Sequence, residues 1–302
     1  MKIKDANGAR TFLSSPQSGQ LLCCSNSAMY KRQPVLNISK AAPFSNVAAD
    51  RNVRAPASIK FVLLSIFFLA STIGSMASAA EASAKLKVLV VTGGHGFEKE
   101  SFFKMFTDNP EINFTAATQG KTNAAVFERD DLLSYDVVVL YDLVRDITDV
   151  QKRKFLSLLD KGIGLVVLHH ALVSYQHWPD YERIIGGRYP EEDGRGGVVT
   201  PETGYQHGVE IPVVIVARDH PITAGLKDFT IHDEIYWGFR TQPDITPLIT
   251  TSQPKSGKPL AWCRTQAKSR VVYIQLGHDH SAYDDLNYRR LLANSIRWTA
   301  RQ

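Results

Sequence analysis

The chain has 302 residues, 44% hydrophobic and 10% aromatic, which is enough apolar material for a packed core and too much for a disordered polymer. Its formal charge of +5 does not describe a nucleic-acid-binding face. Nine of the 35 Lys and Arg but only three of the 30 Asp and Glu fall in the first 84 residues, which leaves the remainder near neutral.

Residues 1–59 read as a polar extension. Lys60 then leads into the fourteen-residue apolar run Phe61–Gly74 and the small residues Ser75–Ala84. A basic start, a short apolar centre and the Ala-x-Ala site Ala77-Ser78-Ala79 make residues 60–84 a secretory signal. The run falls short of the about 20 residues that span a membrane. Export to the periplasm or the exterior is therefore expected, with membrane attachment only if the signal is retained. A long polar stretch is foreign in front of such a signal and makes Val53 a candidate start. Leu21-Leu22-Cys23-Cys24 has the letters of a lipid-attachment site but lacks the apolar residues before it. After cleavage only Cys263 is left, which excludes an intramolecular disulfide and a Cys-rich zinc site.

Residues 85–302 read as one domain. Lys85–Thr92, Asp136–Tyr141 and Gly164–His169 are short, β-branched and apolar on both faces, as central strands covered on two sides must be. Between them Glu98–Thr107 spaces Phe102, Phe103 and Phe106 as a helix does, and Asp149–Leu159 does so with Val150, Phe155, Leu158 and Leu159. Strand and helix in alternation predict a parallel sheet. Tyr175–Gly208, rich in Gly, Pro and charge, reads as an excursion over the carboxyl edge of that sheet, where open α/β proteins bind ligands. Val209–Val216, Phe229–Tyr236, Pro259–Cys263 and Arg270–Leu276 alternate more and predict antiparallel additions at one edge. Tyr288–Ala300 closes the chain as an amphipathic helix, with Leu291, Leu292, Ile296 and Trp298 toward the body.

The first strand ends in Gly93-Gly94-His95-Gly96, which allows a sharp turn and projects His95 into the cleft. It completes neither the dinucleotide fingerprint nor the phosphate-binding Walker pattern, so no nucleotide is expected. Gly164–His169 runs into His169-His170-Ala171-Leu172, at the elbow where hydrolases and amidotransferases of this architecture keep a nucleophile. Neither Ser nor Cys stands there, and Ser174 and Cys263 lie elsewhere. Two adjacent histidines on a strand would face opposite ways, and His170 is the one expected in the site. His207, Asp219-His220-Pro221, His232-Asp233-Glu234 and Gly277-His278-Asp279-His280 complete a set of imidazoles and carboxylates suited to zinc or a similar divalent ion. Asp219-His220-Pro221 fits a turn or helix start as well as a ligand set. Tyr175, Trp178, Tyr181, Tyr189, Tyr236, Trp237 and Tyr283 offer flat faces for a sugar or for the core. Arg188, Arg195 and Arg240 are candidates for an anionic or hydroxylated ligand.

Several blocks in fixed order then resemble the ThuA-like family, named for trehalose utilisation. They are VLVVTGGHGFE, GLVVLHHAL, WPDYERIIGGRY, HGVEIPVVIVARDHPITAGLKDF, HDEIYW, RVVYIQLGHD and YRRLLANSIRW, spread from Lys87 to Trp298. The resemblance implies a class I glutamine amidotransferase-like fold, a flavodoxin-like three-layer α/β sandwich without the amidotransferase cysteine. It implies a link to disaccharide or keto-sugar metabolism and marks His95, His169, His170, His207, Glu234 and His278. The expectation is a metal-assisted carbohydrate enzyme. His170, His278 and Glu234 would hold the ion, His95, His169 and Glu234 would act in catalysis, and Tyr175, Trp178, Tyr236 and His207 would bind substrate. A non-catalytic sugar-binding or partner-docking domain is the rival, and metal-free hydrolysis by Glu234 and Asp279 a third reading.

Overall fold

The computed structural model describes residues 84–190 and 203–300; the expected extension, all but the last residue of the signal segment, and Arg195 lie outside the described residues. In chain order the elements are β1 (Leu86–Gly93), α1 (Lys99–Thr107), β2 (Ile112–Gln119), β3 (Val137–Asp142), α2 (Asp149–Lys161), β4 (Gly164–Leu168), α3 (Pro179–Ile185), β5 (Gly187–Arg188), β6 (Gly204–Ile215), β7 (Phe229–Trp237), β8 (Arg240–Thr241), β9 (Thr246–Thr251), β10 (Ala261–Gln266), β11 (Ser269–Ile274), α4 (His280–Tyr283) and α5 (Leu286–Ala300). Among the described residues no helix is long and apolar enough to cross a membrane.

Nine strands form one sheet in the order β2-β1-β3-β4-β11-β10-β9-β6-β7. Strands β2 to β11 of that order run parallel, and β10, β9, β6 and β7 follow antiparallel. Alternation along each central strand splits the core in two. Val88, Val90, Val137, Val139 and Val166 pack under Phe102, Phe106, Leu291 and Ile296 of α1 and α5. Leu89, Val91, Val138, Leu140 and Val167 pack under Phe155, Leu158 and Leu159 of α2 and under Ile184 of α3. The result is the expected three-layer, mostly parallel α/β sandwich. Helix α2 starts at a reciprocal capping box, in which the Thr148 hydroxyl accepts from Gln151 N and the Gln151 amide accepts from Thr148 N. It stops at Gly162, whose φ of 87° suits a left-handed cap.

Four of the longer strands depart from the sequence reading. Strand β11, expected among the antiparallel additions, pairs parallel with β4 and antiparallel with β10, so it is the seam between the two halves. Strand β6 begins at Gly204, inside the stretch read as an excursion, and is broken by a bulge between Gln206 and Val209 that contains His207 and Gly208, the latter with φ 65°. Strands β2 and β9 have no counterpart in the sequence reading. β2 is an edge strand whose residues are largely exposed, so its pattern lacks the apolar continuity of its neighbours.

Candidate functional site

The carboxyl ends of the central strands carry three sharp turns. After β1, Gly93 (φ 132°) and Gly94 (φ 74°) lie so close to the backbones of Gln119 and Leu143 that a Cβ at either would collide with a carbonyl oxygen. After β4, the chain leaves the sheet at Leu168 and His169 takes φ 50°, a left-handed conformation that non-glycine residues adopt only where the surroundings impose it. After β11, Gly277 (φ 113°) leads into His278. These turns present His95, the His169-His170 pair and His278, and the β6–β7 hairpin supplies His207, Glu234 and Tyr236.

At the centre His169, Glu234 and His278 each offer one ligand atom, all within 4.8 Å of one another. His169 Nε2 lies 2.8 Å from Glu234 Oε2 and 3.3 Å from His278 Nδ1, and His278 Nδ1 lies 3.1 Å from the same Glu234 oxygen. His169 Nδ1 donates to the carbonyl of Gln275 at 2.7 Å. In a neutral ring that bond leaves a lone pair on Nε2, facing a carboxylate oxygen. Two electron-rich atoms at that distance need positive charge between them, which an extra proton or a metal ion can provide. Two imidazole nitrogens and one carboxylate oxygen suit zinc, manganese or iron, and 2.8–3.3 Å is the spacing of neighbouring ligands on bonds of about 2.1 Å. The donor set therefore fits a divalent cation. No ion and no substrate is part of the structure.

Surrounding groups hold these three side chains. The Tyr236 hydroxyl lies 2.9 Å from His169 Nε2, and its ring stacks on the imidazole. Buried Asp233 accepts from Gly277 N at 2.7 Å and from His278 N at 3.0 Å, which fixes the turn that carries His278. The Tyr283 hydroxyl donates to His278 O at 2.8 Å, and Tyr141 lies 2.6 Å from Tyr283 and donates to Gly277 O. His207 Nδ1 sits 3.3 Å from the second Glu234 oxygen, where the β6 bulge aims it. Burial alone would raise the Glu234 carboxyl. Hydrogen bonds with His169 and His278 outweigh it and hold the acid well below the usual carboxylate range. The Glu234 hydrogen bond raises His278, against the opposing effect of burial.

His170 is not part of this triad. It is 3% exposed, and neither ring nitrogen has a hydrogen-bond partner. His95 covers it, ring centroids 4.5 Å apart, and Tyr141 packs against it edge-on at 4.3 Å. Burial lowers His170 far below the ordinary imidazole value and lowers His95 as well, so both rings are neutral at pH 7.

Glu234, His278, His207, Tyr236, His95 and His170 line one cavity of about 420 Å³, together with Lys121, Arg145, Tyr189 and Tyr205. That volume suits a small sugar or a similar ligand. A groove of about 450 Å³ between α1 and α5 contains none of these imidazoles and is walled by ion-paired Asp108, Glu111, Arg289 and Arg297.

Of the residues expected in the site, the structure brings together His95, His169, His170, His207, Glu234, Tyr236 and His278. Tyr175 and Trp178, expected to bind substrate, stand instead in the core under α2 and α3, 0% and 4% exposed, and the Tyr175 hydroxyl donates to Asp142. The Tyr181 hydroxyl donates to Ala171 O. Arg188 donates to Gln176, and Arg240 makes a two-bonded pair with Glu182. His220 shapes a turn: its Nδ1 accepts from Ile222 N. Asp279 caps α4 by accepting from Ser281 N, His232 pairs with Glu210, and His280 with Glu98. Beyond the elbow Ser174 Oγ is taken up by backbone, and the Cys263 thiol is buried in β10 and pushed up to about 11 by that burial, so neither is poised as a nucleophile. Sequence reasoning missed the supporting roles of Asp233, Tyr141 and Gln275. Its one signal for Asp233 is the acidic pair in an otherwise apolar strand.

The model of the ThuA family, described as trehalose utilisation, matches residues 87–299. A ThuA-like protein from Parabacteroides merdae superposes with a TM-score of 0.60 at 21% identity, covering 72% of this chain and 90% of that one. One from Bacteroides uniformis gives 0.55 at 21% identity, covering 73% and 94%. The comparison with curated proteins finds no match.

Proposed function

The chain belongs to the ThuA family, and on that premise we propose that it is an exported, metal-assisted enzyme of carbohydrate metabolism that takes a disaccharide or keto-glycoside. The observation that carries this reading is the cluster of His169 Nε2, Glu234 Oε2 and His278 Nδ1, of which Glu234 and His278 line a cavity together with His95 and His170. A divalent ion held there would act as a Lewis acid toward a sugar carbonyl or hydroxyl.

The chain's own residues supply the rest. The Gln275 carbonyl keeps a proton on His169 Nδ1 and so keeps Nε2 free as a ligand. His207 orients the second Glu234 oxygen and stands half-exposed at the entrance. His95, neutral and on a glycine-flanked turn, accepts or returns a proton from substrate. Tyr189 and Tyr205 offer ring faces to the sugar.

Elemental analysis of the purified protein and of His169→Ala, Glu234→Gln and His278→Ala tests this. The expected result is about one equivalent of metal in the wild type, loss of most of it in each variant, and loss of keto-glycoside turnover in parallel. Metal-free wild type with undiminished turnover rejects the reading; sugar binding without conversion assigns the non-catalytic alternative.

A further inference from the structure

Two histidines stand side by side at the turn after β4, and they differ in what surrounds them. Both ring nitrogens of His169 have polar neighbours, the Gln275 carbonyl on one side and the Glu234 cluster on the other. His170 is 3% exposed, and among the described residues neither of its ring nitrogens has a hydrogen-bond partner. Its backbone is held firmly all the same. The Tyr273 hydroxyl donates to His169 O at 3.1 Å and the Tyr181 hydroxyl to Ala171 O at 2.9 Å, which pins the residues on either side of it.

The rings packed on His170 leave it unserved. Tyr141 lies edge-on at 4.3 Å, but its hydroxyl is engaged by Gly277 O and by Tyr283. His95 lies over it with ring centroids 4.5 Å apart and a tilt of 31° between the planes. A buried polar group without a partner is destabilising, and native proteins retain one where something outside the chain completes it. His170 forms part of the wall of the 420 Å³ cavity, beside His95, Glu234 and His278, so its partner arrives in the space that substrate would fill. The covering ring is itself exposed. It follows Gly94, which is packed against Leu143 O, and precedes Gly96, where a Cβ would meet nothing within 4 Å, so the turn is open on that side.

We infer that His170 is the specificity residue of this cavity, binding one hydroxyl of the carbohydrate, and that the His95 ring swings aside to admit it. That role presupposes the carbohydrate reading of the cavity and adds the residue that tells one sugar from another there. A neutral imidazole carries one donor and one acceptor nitrogen in either tautomer, and a hydroxyl both donates and accepts. A deoxy position does neither. Sites built to hydrogen-bond a substrate hydroxyl reject analogues that lack it, whereas apolar pockets discriminate weakly.

The test is calorimetric titration of the metal-loaded full chain with methyl α-glucoside and its four monodeoxy analogues. In the wild type at least one analogue binds about tenfold weaker than the parent glucoside. In His170→Leu that gap closes while metal content stays unchanged. A gap that persists in His170→Leu overturns the inference, as does equal affinity of the wild type for all the glycosides or loss of metal from the variant. Melting of the sugar-free proteins gives a second readout. His170→Leu melts higher than His170→Asn, because it leaves no buried polar group without a partner. The reverse order shows that the imidazole is already satisfied by water and overturns the inference as well. Failure of a wild type that carries metal to bind any of the glycosides rejects the carbohydrate reading itself, and this inference with it.

Discussion

At Asp142 the sheet buries a carboxyl that the proposed chemistry does not use. The Tyr175 hydroxyl and the Gln119 amide both donate to its Oδ2, while its Oδ1 has no partner. Burial raises the group to about 6, with the two hydrogen bonds acting against the rise. A carboxyl whose folded pKa lies above its unfolded value near 3.8 binds a proton more tightly in the native state. Its contribution to stability is fully present below pH 3.8 and is lost as pH rises through 6, a fall of about 3 kcal/mol. In Asp142→Asn this titration is absent, so the variant gains stability relative to wild type between pH 4 and pH 8. Urea unfolding at several pH values checks it, and parallel curves for the two proteins would refute it. The same scale shows where sequence reasoning stops. Strand alternation assigned His170 to the metal site because it treated the pair as strand residues. The chain has already left β4 at Leu168, and the left-handed His169 turns its ring into the cluster while His170 goes to the cavity wall. A backbone conformation imposed by long-range packing leaves no trace in residue spacing.

Among elements, the strand β7 and the turn after β11 are joined through Asp233. Its Oδ1 accepts from Glu234 N and His278 N at 2.8 and 3.0 Å, and its Oδ2 from Gly277 N at 2.7 Å. Asp233→Asn sets an NH₂ group against one of these donors and costs about 2 kcal/mol, since buried hydrogen bonds to a charged acceptor are the strong ones. It also loosens His278, so metal affinity falls with stability; unchanged values of both would show that the pairing carries little. Thr148→Ala, at the capping box of α2, costs about 1 kcal/mol and leaves metal content intact, a contrast that separates a structural element from one that serves the site. The elements most legible in the sequence, β1, β3 and β4, are those buried on both faces, where apolar continuity is obligatory. Edge strand β2, with exposed residues along its middle, carries no such constraint, and β9 hides its short buried pair Leu248-Ile249 behind the exposed Thr246-Pro247. Likewise Tyr175 and Trp178 have the composition of a sugar platform, and only the packing of α2 and α3 shows that their rings are core.

Across the whole molecule the triad joins two halves built by different rules. His169 follows the parallel strand β4, Glu234 belongs to the antiparallel β7, and His278 follows β11, the seam between them. A cation bound by all three stabilises the native state by mass action alone, about 2.7 kcal/mol at a free concentration one hundred times its Kd. For a domain of this size each kcal/mol moves the melting temperature by about 2–4 °C. Saturating metal therefore raises Tm by about 5–10 °C, and chelation reverses the change. Because the ligands must be deprotonated, and Glu234 raises the His278 pKa, the gain grows as pH rises through the titration of His278 and fades below it. In the metal-free protein the dependence on His278 is opposite. A pKa raised on folding stabilises below the ordinary imidazole value near 6.5 and is lost as pH rises through the higher folded value. Differential scanning of metal-loaded and chelated protein across pH 5–9 thus gives two curves that diverge with rising pH, and His278→Ala brings them together. Curves that stay parallel in the wild type would mean that the three side chains form an ion-paired cluster rather than a metal site.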